Sequence, residues 1–247
     1  MNSKQAQLLR WLLVETSHPG NVGSAARALK TMGFRDLRLI HPKMQNIAHE
    51  PEAIALASGA SDILSNSQES DSLESAVQGC SLVLGLTSRD REFGPPSLDW
   101  VNARTLIRQT LQSDQRVALM FGPERTGLDN QHLSLCTHRV WLDANPEYPS
   151  LNLAQALMVC AFTLREALNS DSEDPLVSPD QIEYADPAAI SAMLDHWRYG
   201  LEAIGYLDPA NPKKLMARLQ ALFARSRLQK EEIDLLRGIA KQMLLRK

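Results

Sequence analysis

The alternation of short apolar runs with longer helical stretches over residues 8–168 constrains this chain more than any other feature. Residues 8–14 (LLRWLLV) read as a buried strand, and a polar turn containing His18-Pro19-Gly20 follows. A helix is then expected over 21–32, stopped by Gly33. Strands are expected at 37–40, 81–84, 117–121 and 140–142, with helices at 52–57, from Ser72 as a cap to Gly79, and over 153–168. Strands separated by helices give an α/β domain with a largely parallel sheet.

After residue 168 the pattern changes. Residues 169–187 are rich in Ser, Asp, Glu and Pro and read as an acidic linker. Helices follow at 188–204, 212–224 and 230–245, with no strand alternation, so 188–247 is expected to be a small helical domain. In it Leu215, Leu219, Leu222 and Phe223 fall at helical spacing, with Lys214, Arg218 and Arg225 largely on other faces. The net charge of −3 hides an uneven distribution. Residues 166–186 hold seven acids and no bases, whereas 211–247 hold ten bases and three acids. A basic tail of this kind suits a polyanionic partner. The domain layout read from these shifts is 1–168, 169–187 and 188–247.

Composition narrows the class further. No apolar run reaches the ~20 residues of a membrane-spanning helix, and the N-terminus has no signal-peptide pattern. Three widely spaced cysteines and six histidines without ligand spacing predict neither a disulfide framework nor a metal site. A cytoplasmic protein is expected, with no membrane association. The chain also lacks GxGxxG and GxxxxGK[ST], which argues against dinucleotide-binding folds and nucleotide triphosphatases.

Three other loops follow strands, where ligands bind α/β sheets. The first, Asn21-Val22-Gly23-Ser24-Ala25-Ala26-Arg27, offers small residues at a helix start and a cation one turn inside. In the second, Phe121-Gly122-Pro123-Glu124-Arg125-Thr126-Gly127-Leu128, the glycines permit a tight turn or close approach to a ligand. The third, Asn145-Pro146-Glu147-Tyr148-Pro149-Ser150-Leu151-Asn152-Leu153-Ala154, is stiffened by two prolines. Ser150 is expected to cap the helix that follows, and Asn152 to offer its amide to a ligand.

Taken in order, N-x-G-S-x-x-R, F-G-x-E-x-x-G-L and S-L-N-L-A resemble the SPOUT superfamily of knotted RNA methyltransferases. The run from Val14 to Asn21 (VETSHPGN), Asn145-Pro146-Glu147-Tyr148, and the tail motifs at 222–227 and 236–239 are similar to one family within it, TrmJ. Leu86, in place of a common Thr, and Pro123, in place of a common Arg, depart from that family.

The resemblance implies a trefoil-knotted α/β domain acting as a homodimer. It implies S-adenosyl-L-methionine as methyl donor and tRNA as partner, with transfer to the ribose 2′-hydroxyl of cytidine or uridine 32 in the anticodon loop. Carried over by motif, the donor pocket comprises Leu86, Thr87, Ser88, Gly122, Leu142, Pro149, Ser150, Leu151 and Asn152. Arg27, Asn21, Glu124, Ser150 and Asn152 are the expected catalytic set, and Lys213, Lys214, Arg218, Arg225 and Arg227 the expected RNA contacts. The family pattern makes Arg27 the ribose-activating residue. A guanidinium with a pKa above ~12 is a poor base, so the alternative is a phosphate clamp that polarises the hydroxyl.

Overall fold

The computed structural model describes residues 3–88, 94–169 and 184–245. Arg89 and most of the acidic linker, 170–183, lie outside the described residues, as do Arg246 and Lys247. Seven parallel strands form one sheet: β1 (Leu9–Val14), β2 (Asp36–Ile40), β3 (Gln68–Ser70), β4 (Cys80–Leu86), β5 (Ser97–Asp99), β6 (Arg116–Phe121) and β7 (His138–Trp141). Their spatial order is β3-β2-β1-β6-β4-β7-β5. Helices α1 (Ser3–Gln7), α2 (Pro19–Met32), α3 (Pro51–Ala57), α4 (Ser61–Ser65), α5 (Leu73–Val77), α6 (Trp100–Gln112), α7 (Asn130–Ser134) and α8 (Leu153–Asn169) connect and cover them.

Every residue of β1 is buried, as a central parallel strand covered on both faces requires. The two-residue period divides the burial. Leu9, Trp11 and Leu13 join one core with Val117, Leu119 and Phe121 of β6 and with α2, α6 and α8. Leu12 and Val14 join the opposite core with Ala118, Met120 and the α5 and α7 side. Arg10, on that second face, is buried because its guanidinium donates to the carbonyls of Ala76 (2.9 Å) and Gln78 (2.8 Å), closing the end of α5.

The strand order reverses direction between β1 and β6, which creates a crevice at the carboxyl ends of these strands. Helix α2 starts with Pro19 in its first turn and ends at Gly33, whose φ of 84° lets its N–H reach the last carbonyls. Arg165 Nη1 of α8 donates to Met32 O at 2.8 Å, and Trp100 Nε1 of α6 donates to Thr163 Oγ1 of α8 at 2.7 Å. These bonds help fix the three helices on one face, with the start of α8 beside the start of α2.

The strands and helices expected from the sequence are all present, several one to three residues longer or shifted. Unanticipated were the edge strands β3 and β5, the short helices α1, α4 and α7, and the longer helix α6. That helix does carry a sequence signal: Asp99 accepts from Asn102 N at 2.9 Å, and Trp100, Ala103, Ile107 and Leu111 are buried at helical spacing. Gly23 also plays a different part from the one expected. A Cβ there would lie 2.1 Å from Ala53 O, so its smallness serves the close packing of α2 on α3 rather than the approach of an anion.

The tail folds as α9 (Pro187–Ala203), α10 (Leu215–Ser226) and α11 (Lys230–Leu245). Its core holds Ile190, Met193, Leu194, Phe223, Leu228 and Ile233, with Trp197 edge-on to Phe223 at 5.7 Å. Of the apolar stripe read for α10, Phe223 is buried and Leu215 and Leu219 are half-buried, but Leu222 is exposed. The tail meets the sheet domain through Asp186, which accepts from Gly79 N (3.0 Å), and Gln220, which donates to Ser134 O (3.0 Å).

Candidate active site

The site begins where β1 ends. Glu15 adopts a left-handed φ of 50°, uncommon for a residue with a side chain, and turns the chain out of the sheet. Thr16, Ser17 and His18 then face Glu124, which follows β6 across the crevice. Glu124 Oε1 accepts from Thr16 Oγ1 (2.8 Å), Asn21 Nδ2 (2.9 Å) and His18 N (3.4 Å). Its Oε2 accepts from Ser17 N and Ser17 Oγ, both at 3.2 Å. Burial pushes this carboxyl up, but donation from Asn21, its own backbone N–H, Thr16 and Ser17 outweighs that and holds it below the usual carboxylate range.

A second link reaches α8. Asn152 Nδ2 donates to Asn21 Oδ1 at 3.0 Å, while Asn152 Oδ1 accepts from Ala154 N (2.9 Å) and Gln155 N (3.2 Å). The orientation of both amides is forced from the ends of this chain. A carboxylate can only accept at one end, and helix N–H groups can only donate at the other. Asn152, not Ser150, therefore caps α8. Ser150 sits two residues earlier and is exposed.

Two cavities flank this network, and Glu124 lines both. The larger, about 830 Å³, is walled by α2, α3 and the start of α8, with Arg27, Asn21, His18, Glu124 and Asn152 in its lining. Arg27 is exposed there, and its guanidinium has no hydrogen-bond or ion-pair partner among the described residues. The smaller, about 150 Å³, is a slot between the strand-end loops. Leu86 at the end of β4, Thr87 and Ser88 just after it, Gly122 after β6 and Leu142 after β7 line it, together with Pro149, Ser150 and Leu151. The structure thus gathers the expected donor-pocket residues in one slot, except Asn152, which belongs to the larger cavity.

Gly122 is required by the turn itself. A Cβ there would lie 2.3 Å from Leu128 N, because the loop folds back on its own start, and Gly127 N–H closes it on Pro123 O at 2.8 Å. Gly127 has a φ of 65°, the conformation that glycine tolerates best.

Thr16, Ser17 and His18 were not singled out as site residues. The polar T-S-H-P-G run after an otherwise apolar strand was the available signal. In the tail, Lys213, Lys214 and Arg218 line a separate cavity of about 480 Å³ with Tyr206 and Asp208. Arg225 is exposed on α10, and Arg227 stacks over the Tyr184 ring at 4.4 Å.

Comparison with known proteins gives this geometry a lineage. Residues 9–162 match the SpoU rRNA Methylase family, and residues 188–247 match the C-terminal domain of the tRNA methyltransferase TrmJ. The chain is 41% identical over 237 residues to the tRNA (cytidine/uridine-2′-O-)-methyltransferase TrmJ of Klebsiella pneumoniae, covering 94% of this chain and 95% of that one. The tRNA (cytidine/uridine/adenosine-2′-O-)-methyltransferase TrmJ of Pseudomonas aeruginosa is 40% identical over 248 residues, covering 94% and 91%. Among solved structures, TrmJ from Z. mobilis superposes with a TM-score of 0.79 at 28% identity over 95% of this chain and 98% of that one. A probable methyltransferase from Bordetella pertussis gives 0.64 at 44% identity over 68% and 99%. Together, the sheet domain, the helical tail and the full-length likeness establish that this chain belongs to the TrmJ family of SpoU-type RNA methyltransferases.

Proposed function

We propose that the protein transfers a methyl group from S-adenosyl-L-methionine to the ribose 2′-hydroxyl of cytidine or uridine at position 32 of the tRNA anticodon loop. One observation carries this reading: Arg27, its guanidinium without a partner among the described residues, shares a cavity with the Asn21–Glu124–Asn152 network, and that network borders the loop-lined slot. The names of the relatives supply tRNA, the cytidine and uridine bases and the 2′-oxygen. Position 32 follows from the motif resemblance.

The slot suits the methyl donor chemically. Leu86, Leu142 and Leu151 offer apolar walls, while the 122–127 turn brings main chain to its surface. Its enclosed volume of about 150 Å³ is below the ~300 Å³ low end of ligand pockets, so the donor must also use the open rim at Ser150 and Leu151. S-adenosylmethionine brings the electrophilic methyl on a sulfonium. The chain contributes orientation. Glu124 locks Asn21 and the β1 exit, Asn21 locks Asn152, and Asn152 fixes the start of α8 beside the slot. Positioning of this kind can supply ~7–11 kcal/mol of a barrier. Arg27 clamps a backbone phosphate next to the target ribose by charge-assisted bonds.

In this reading 1–168 binds donor and target ribose, 169–187 links, and 188–247 holds the tRNA stem. Lys213, Lys214 and Arg218 grip phosphates, with Arg225 and Arg227 as outer contacts. A homodimer is favoured by Val159 (43% exposed) and Phe162 (48% exposed), one turn apart on α8 in the helical layer beside the site. The knot belongs to this same reading. No helix among the described residues is long and apolar enough to cross a membrane, in keeping with work on tRNA in the cytoplasm.

The direct test incubates the protein with labelled S-adenosylmethionine and a tRNA pool, then maps the modified nucleotide. Methylation of ribose 32 is expected. Label at another position refutes the site assignment, and label on a base refutes the reaction.

A further inference from the structure

The roles above leave His18 without a task. It occupies the N-cap position of α2, yet its side chain makes no capping hydrogen bond. It lines the Arg27 cavity with 64% of its side chain exposed. A side chain so exposed is ordinarily free to rotate, but this ring is tethered. Nδ1 lies 2.8 Å from Ser17 Oγ, and Ser17 Oγ lies 3.2 Å from Glu124 Oε2.

The direction of these two bonds follows from what each group can donate. Glu124 is ionised and can only accept. Ser17 has one hydroxyl proton, and giving it to Glu124 leaves Ser17 Oγ to accept from the ring. His18 Nδ1 then carries a hydrogen, and Nε2 keeps its lone pair. The same carboxylate lies 3.7 Å from the ring.

The geometry points to His18 Nε2 as the acceptor of the ribose hydroxyl proton, oriented by a Glu124–Ser17–His18 relay. The inference rests on the methyl transfer proposed above and deepens it. As the 2′-oxygen bonds to the methyl carbon, the S–CH3 bond breaks and its electron pair stays on sulfur as a neutral thioether. The hydroxyl proton passes to His18 Nε2 and from there to solvent. Arg27 is then required only as a cation, which removes the difficulty of using a guanidinium as a base.

Nitrogen-15 NMR of the full-length protein reads the tautomer with no substrate present. Neutral His18 is expected to be protonated on Nδ1, and Ser17→Ala should abolish that preference. A neutral ring protonated mainly on Nε2 overturns the relay. In the complete reaction, His18→Asn keeps an amide donor for Ser17 and a favourable N-cap residue but removes the base. Its kcat should fall about 100-fold, the low end of general-base contributions. Its affinities for tRNA and S-adenosylmethionine should stay within about twofold, because only the chemical step loses a group. Wild-type kcat, or a loss confined to affinity, overturns the assignment. Should His18→Asn misfold, His18→Gly with added imidazole decides: recovered turnover supports the proposal and none refutes it. A wild-type protein that binds tRNA but transfers no methyl would instead sink the proposed function, and the tautomer measurement would still stand by itself.

Discussion

At the carboxyl ends of the central strands, Glu124 keeps only 13% of its side chain exposed and accepts five hydrogen bonds from Thr16, Ser17, His18 and Asn21. In the tail, Lys213, Lys214, Arg218 and Arg225 all stand exposed on short helices and their connections. The two regions use polar groups for different ends. A reacting hydroxyl must be held to a fraction of an ångström, which takes interlocked donors and acceptors on a rigid sheet. Gripping a phosphate backbone takes charge at roughly the right spacing, which mobile side chains provide. Changes at these strand ends should therefore alter rate steeply, and changes in the tail should alter affinity gradually.

Arg27→Ala tests the steep side. Turnover should fall about 100- to 1,000-fold, the range seen when one preorganised donor to a reacting centre is removed. Cofactor affinity should hold, since Arg27 lines the larger cavity and not the slot. Arg27→Lys should recover little, because an ammonium cannot form the two-pronged contact of a guanidinium. Single-turnover kinetics with saturating tRNA measures both variants. A decrease in affinity alone would make Arg27 behave like a tail residue and break the contrast.

Glycine substitutions extend the contrast to stability. Gly23→Val would drive a side chain into the Ala53 carbonyl and should cost about 2–3 kcal/mol. In α11 of the tail, a Cβ at Gly238 meets nothing within 4 Å. Gly238→Ala should therefore stabilise, by about 1 kcal/mol from helix propensity. Denaturant titrations of the two variants should move in opposite directions. Movement in the same direction would show that the tail is as tightly packed as the sheet domain.

Replacing Lys213, Lys214 and Arg218 together by Ala should weaken tRNA binding about tenfold at moderate salt. The salt dependence should become shallower by about one unit of log–log slope per lost phosphate contact. Binding of S-adenosylmethionine should not change. An unchanged slope would remove these residues from the RNA interface and leave Arg225 and Arg227 to carry it.

Legibility in the sequence divides along similar lines. Strands β1, β4 and β6 were readable because central parallel strands are apolar throughout, and LLRWLLV or VALMF can hardly be anything else in a soluble domain. β3 and β5, three residues each at the sheet edges, carry too little pattern to be seen. The loops around Asn21, Gly122 and Asn152 were visible as motifs, yet their wiring was not. The tie from Asn152 to Asn21 and the packing of Gly23 against α3 depend on contacts more than a hundred and about thirty residues apart in sequence. The Thr16–Ser17–His18 run was seen only as part of an entry motif. Its function needs Glu124, and only the β1–β6 pairing brings that residue near.

The junction between the two regions carries the last and smallest prediction. His138 on β7 is largely buried, and its pKa is pushed down to about 4, first by burial and then by the charge of Arg227 from the tail. A histidine that is neutral in the folded protein but free to protonate near pH 6.5 when unfolded makes the unfolded state the better proton binder below that pH. Stability should therefore be complete above about pH 6.5 and decline as the pH falls toward about 4, on the order of 1 kcal/mol per unit at most. Carboxylates such as Glu124, whose pKa is also depressed, add their own loss at lower pH, beginning near the unfolded value for glutamate. Those two windows can be separated with His138→Gln, which should flatten the pH 4–6.5 portion of the melting-temperature profile and leave the more acidic portion intact. Arg227→Ala should narrow the His138 portion and move its midpoint slightly toward higher pH, because one of the two causes holding the folded-state pKa down has gone. An unchanged midpoint in that variant would mean that Arg227 and the helix carrying it do not sit against β7 in solution, and that the tail is tied to the sheet domain less closely than Asp186–Gly79 and Gln220–Ser134 indicate.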